Sequence, residues 1–87
     1  MEDDFMKWTI RDKESGEGNF GIYDNPNELI TELTEMIAYD VKEEHITYEQ
    51  AGNYYEIVRS DNVNFFVDAS IKGLRFMNVD TRKYEEL

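Results

Sequence analysis

The reading of the fold turns on Asn25-Pro26-Asn27-Glu28-Leu29-Ile30-Thr31-Glu32-Leu33-Thr34-Glu35-Met36-Ile37-Ala38-Tyr39-Asp40-Val41. Asn25 offers a capping carboxamide, Pro26 suits the first helical position, and Glu28 falls at the third, the arrangement of a capping box. Leu29, Ile30, Leu33, Met36, Ile37 and Val41 then recur at helical spacing. The stretch predicts one amphipathic helix from Pro26 to about Val41.

On its N-terminal side the period is two. Met6, Trp8 and Ile10 alternate with Lys7, Thr9 and Arg11, the pattern of a half-buried strand. A polar turn over 12–18 leads to a returning strand, Asn19 to Tyr23, with Phe20 and Ile22 expected on one face. Beyond Glu44 the period is again two, giving candidate strands His45–Gln50, Tyr54–Arg59, Val63–Ala69 and Leu74–Val79. Between them lie Ala51-Gly52-Asn53, Ser60-Asp61-Asn62 and Lys72-Gly73, residues that turns favour. The segment 43–51 can equally prolong the helix, and Thr81 to Leu87 reads as a frayed tail or a short final element. The order β-β-α-β-β-β-β predicts an α+β fold: an antiparallel β-sheet with one amphipathic helix packed on a face, a single small domain spanning 1–87.

At 87 residues such a domain buries only about 60–65% of its unfolded surface, and with no cysteine it has no disulfide to compensate. Twelve aromatic residues argue for a packed core rather than an acidic disordered segment. One helix covers one face of a sheet, so a symmetric homodimer through the strand-rich region from Ile57 to Val79 is expected. No apolar run approaches a membrane span, and the acidic start Met1-Glu2-Asp3-Asp4 lacks the basic region of a signal peptide. A soluble, cytoplasmic protein is expected.

Groups suited to catalysis are few. The sole histidine, His45, follows an acidic run and reads as a surface imidazole. Ser15, Ser60 and Ser70 lack the glycine-flanked setting of a nucleophile elbow. Gly16 and Gly18 lie in an acidic loop that would repel phosphate, and neither 12–17 nor 61–64 follows the ligand ladder of a calcium loop. The expectation is a non-enzymatic protein without catalytic residues, metal or cofactor.

Charge is the more informative feature. The net charge is −11, yet its distribution is uneven. Residues 1–56 hold fifteen acids and four bases, whereas residues 57–87 hold five of each. A field of this kind repels nucleic acid and anionic membrane and speeds encounter with basic surfaces. On a helical wheel Glu28, Glu32 and Glu35 fall within about 60° of one another, opposite the apolar side, with Tyr39 in line. Helix stability does not explain the row: Glu28 gains from the N-terminal dipole and the cap, but Glu32 and Glu35 face like charges three and four residues away, at about 0.2–0.5 kcal/mol each. Solubility is the plain alternative. The acids continue outside the row with Asp3 and Asp4 near the start, Glu14 and Glu17 in the hairpin loop, Asp24 before the cap and Glu43 at the helix end.

In size, charge and the Glu28-Glu32-Glu35 pattern the chain resembles the small acidic DNA mimics, often phage-encoded. Members of that class block restriction enzymes, CRISPR nucleases, uracil-DNA glycosylase, RNA polymerase or nucleoid proteins of the HU type. The resemblance implies an inhibitor occupying the basic nucleic-acid-binding surface of a host DNA-binding protein, an HU-type nucleoid-associated protein or a defence nuclease. It implies no direct contact with nucleic acid or membrane. The partner-binding residues would be Glu28, Glu32, Glu35, Tyr39, Asp24, Glu14, Glu17, Asp3, Asp4 and Glu43, with Tyr23 and Tyr39 as aromatic anchors. The alternative is an acidic protein–protein interaction module such as an antitoxin, an immunity protein or an adaptor.

Overall fold

The computed structural model describes residues 6–13, 21–70 and 73–87. Strands β1 (Trp8–Asp12) and β2 (Ile22–Tyr23) precede helix α1 (Pro26–Lys42). A six-residue 3-10 helix (Tyr48–Asn53) follows, then β3 (Tyr55–Arg59), β4 (Asn64–Asp68) and β5 (Arg75–Asn78). The strands form one antiparallel sheet in the order β2-β1-β3-β4-β5. This is the two-layer α+β architecture expected from the order of periods.

Helix α1 begins where the sequence indicates. The Asn25 carboxamide accepts from the Asn27 amide at 2.8 Å, one residue earlier than a full capping box requires. Leu29, Leu33 and Ile37 are the fully buried side chains of the helix, and Ile30, Met36 and Val41 flank them. They meet the inner face of the sheet, where Trp8, Ile10, Tyr55, Ile57, Phe65, Val67 and Phe76 are buried in alternation.

The helix ends in a Schellman closure. The Glu44 amide donates to the Val41 carbonyl, and the His45 amide donates to the Asp40 carbonyl. Glu44 lies at φ 64°, a left-handed conformation for which glycine is the usual choice.

Two expectations are corrected. His45–Gln50 is not a strand. Thr47 and Gln50 form a reciprocal capping box, the Gln50 amide donating to Thr47 Oγ1 and the Thr47 amide to Gln50 Oε1. That box starts the 3-10 helix, and among the described residues the sheet has five strands instead of six. Gly52 lets this helix lie against β4, because a Cβ there would meet the Val67 carbonyl oxygen at 2.6 Å. The second correction concerns Ile22, which faces outward and is 74% exposed, while Tyr23 turns toward the core. The register decides this: Tyr23 opposes the buried Trp8, and Ile22 opposes Thr9. Phe20 lies outside the described residues.

Among the described residues no helix covers the outer face of the sheet. Its side chains cover one another instead. Arg11 and Glu56 pair at 2.8 Å across β1 and β3, and Lys13 and Arg82 lie 5.3 and 5.5 Å from the centre of the Phe66 ring. The aliphatic stems of such cations shield apolar surface while their heads stay in water. Asp61 accepts from both Arg59 and the Val63 amide in the β3–β4 turn, where Asn62 adopts φ 70°. Residues 83–85 run antiparallel to β5, with Tyr84 opposite Met77. Among the described residues no helix is long and apolar enough to cross a membrane.

Candidate functional site: the acidic flank of the helix

Helix α1 lies closest to β1, to the 3-10 helix and to β2. Burial of Leu29, Leu33 and Ile37 fixes the rotation of the helix. With that rotation fixed, Glu28, Glu32, Glu35 and Tyr39 stand exposed on the solvent side. The rise per residue places Glu28 and Glu32 about 6 Å apart along the axis and Glu32 and Glu35 about 4.5 Å apart. None of the three carboxylates makes an ion pair among the described residues.

Two shallow depressions adjoin along this flank and share Glu32. The first, about 400 Å³, is lined by Tyr23, Asn27, Glu28, Thr31 and Glu32. The second, about 380 Å³, is lined by Glu32, Glu35, Met36, Tyr39, Asp40 and Tyr55. Tyr23 reaches the first from β2, and its phenol pKa is raised by burial and then by the charges of Glu32 and Glu28. Tyr55 enters the second from β3 and donates its hydroxyl to Asp40 Oδ2. Burial, then that hydrogen bond and the nearby charge, push the Tyr55 pKa far above the ordinary phenol value. Both tyrosines are therefore neutral hydroxyl-bearing walls beside the carboxylates.

The remaining acids play different parts. Asp24 is 3.7 Å from Lys7, an exposed pair of little energetic weight. Asp40 is structural, since it receives Tyr55 and stands 3.9 Å from His45 Nδ1, tying the helix end to the sheet. Glu43 is the C-cap, its amide bonded to the Tyr39 carbonyl while its side chain is exposed. Asp3, Asp4, Glu14 and Glu17 lie outside the described residues. The structure thus brings Glu28, Glu32, Glu35 and Tyr39 onto one flank and adds Tyr23 beside them. Sequence reading missed Tyr55 and Asp40 as walls of the second depression. Nothing local in Tyr54-Tyr55-Glu56 signals that the second tyrosine meets the helix end.

Among the described residues no group of three or more His, Cys, Asp or Glu side chains is arranged to hold a metal ion. Comparison with protein-family models, curated proteins and solved structures finds no match for this chain.

Proposed function

We propose that this chain is a non-enzymatic DNA mimic, an inhibitor that occupies the basic nucleic-acid-binding surface of a host DNA-binding protein. An HU-type nucleoid-associated protein or a defence nuclease is the target class in this reading. The observation that carries it is the row of Glu28, Glu32 and Glu35, exposed, free of ion pairs among the described residues, and held on a helix whose rotation the core fixes. Steps of about 4.5–6 Å along the row compare with 3.4 Å of axial rise between phosphates on one strand of duplex DNA. The row is thus sparser than a phosphate strand, and the helix backbone sets its spacing while each exposed glutamate side chain keeps its own rotamer freedom. Tyr23 and Tyr39 offer short-range contacts beside the charge, which charge alone lacks.

The test is competition. Labelled duplex DNA bound to an HU-type protein, and separately to a defence nuclease, is titrated with this chain while polarisation is followed. Mimicry requires displacement of the DNA, with added salt weakening the protein–protein complex much as it weakens the protein–DNA complex. A ternary complex in which the DNA stays bound would overturn mimicry and favour an adaptor, antitoxin or immunity role.

A further inference from the structure

Strand β5 (Arg75–Asn78) ends the sheet, and its outward edge is closed by the chain itself. The Asn78 amide donates to the Lys83 carbonyl at 2.9 Å, and the Glu85 amide donates to the Phe76 carbonyl at 2.9 Å, on either side of the Met77–Tyr84 pair. Tyr84 then reaches over to β4, its hydroxyl donating to Asp68 Oδ2 at 2.9 Å while the Arg75 guanidinium lies 4.0 Å from its ring centre. The Asn78 carboxamide holds the intervening turn by accepting from the Asp80 and Thr81 amides. The strap is nevertheless shallow: residues 81–86 are exposed, and only Leu87 packs partly against the core. Arg82, within the reversal, adopts φ 62°, a conformation that is unfavourable for a residue with a Cβ.

We propose that residues 83–87 are an intramolecular edge guard, and that their release turns β5 into a pairing edge for a second copy of this chain. Open strand edges invite pairing, and proteins cover them for that reason. The occupant follows from hydrogen-bond register and from charge. An antiparallel pair with Met77 opposite the partner's Met77 lets each Asn78 amide donate to the other copy's Phe76 carbonyl. The two backbone groups that bind the strap are thereby satisfied again. The two-fold axis stands perpendicular to the sheet, so helices remain on one side and the two sheets become continuous. Arg75 comes opposite Val79 of the partner, so no like charges oppose each other in the pair. In a chain of net charge −11, β1, β3 and β4 each contain an acid, whereas the edge strands β2 and β5 contain none, and of those two only β5 carries a base, Arg75. Repulsion between two copies is weakest where their acid-free strands meet. This interface lies at the sheet edge, apart from the helix flank, and is independent of the inhibitor reading.

Glu85→Pro removes the amide that donates to Phe76, and with it the carboxylate that accepts from Asn78 Nδ2 and Thr81 Oγ1, and so lifts the strap while leaving the sequence of β5 unchanged. Sedimentation of the folded variant should show twice the 10.3 kDa mass of the unaltered chain. Adding Met77→Lys, which opposes two cations at the two-fold axis, should restore the monomer. A folded Glu85→Pro variant that stays at 10.3 kDa up to ~100 µM, or a dimer indifferent to Met77→Lys, overturns the proposal. Native-state hydrogen exchange on the unaltered chain tests the same idea without a variant. The Glu85 amide should exchange at least ~100-fold faster than the Ile57 amide, through local opening of the strap. Exchange of Glu85 only with global unfolding would show that the guard does not open, and the proposal would fail.

Discussion

On the outer flank of α1, Glu28, Glu32 and Glu35 stand without a cationic partner among the described residues, whereas on the outer face of the sheet the carboxylates meet arginines. Glu56 pairs with Arg11 at 2.8 Å and Asp68 with Arg75 at 3.0 Å, and in the adjoining turn Asp61 pairs with Arg59 at 2.9 Å. Both surfaces are charged and both are open to water, but only the sheet uses its charge internally. Its ion pairs and ring-stacked cations shield Phe66 and tie down the C-terminal strap. On the helix flank Glu28 gains from the dipole of the first turn, whereas Glu32 and Glu35 face like charges that weaken the helix slightly. Charge that does no structural task is charge available to a partner.

The largest effect should fall on both surfaces together. Leu33→Ala opens a cavity under the helix, with an expected loss of about 3 kcal/mol. For a domain of this size that lowers the melting temperature by roughly 12–24 °C in calorimetry. A drop under about 5 °C would mean that the helix is not held by this packing.

The next effect should separate the surfaces. Glu28→Gln, Glu32→Gln and Glu35→Gln combined should weaken binding to a basic partner by ~10-fold or more at physiological salt, while the melting temperature holds or rises slightly. Lys13→Gln with Arg82→Gln on the sheet face should leave that affinity unchanged. Surface plasmon resonance on both variants tests the contrast, and equal losses from the two faces would erase it.

Glu44→Gly addresses the end of the acidic flank without touching the row. Relief of the left-handed glutamate should raise stability by about 0.5–1 kcal/mol in urea unfolding, with partner affinity unchanged if the row alone carries contact.

The smallest effects are those of pH. Asp68 is held far below the ordinary carboxylate range by the Ser70 hydroxyl and amide first, then by Tyr84 and Arg75. A depressed folded-state pKa gives stability that is present above the unfolded value and lost as pH falls from about 4 toward 2. Because Asp68 is solvent-accessible, this contribution is small. Asp68→Asn should flatten that part of the acid-unfolding curve and speed exchange of the Glu85 amide. Tyr55 has the opposite sign: its raised pKa gives stability present below about pH 10 and lost as pH climbs through the folded value. It should be the last tyrosine to ionise in an ultraviolet titration.

Local chemistry explains which elements were legible. Asn25-Pro26 and six apolar residues at helical spacing specify a helix start and a buried stripe within one short window. The strands Trp8–Asp12, Tyr55–Arg59 and Asn64–Asp68 likewise carry their own alternation. Thr47-Tyr48-Glu49-Gln50 also held a legible signal, a capping box, but the alternation around Ile46 and Tyr48 suggested a strand. Ile22 could not be oriented locally, since two strand residues have no lasting period and their facing follows from pairing with Trp8 and Thr9.

The helix, its buried stripe and therefore the opposite acidic row follow from the order of residues alone, because a helical side chain's direction is set by its position in the turn. So do the total charge and its concentration in residues 1–56. Only the tertiary structure decided that Tyr55 and Asp40 join the flank, that arginines of the sheet pair with Glu56 and Asp68, and that Tyr84 closes the β5 edge. Those contacts join residues 7–45 positions apart in the chain. Chain topology and strand register brought them together, and no local periodicity encodes that.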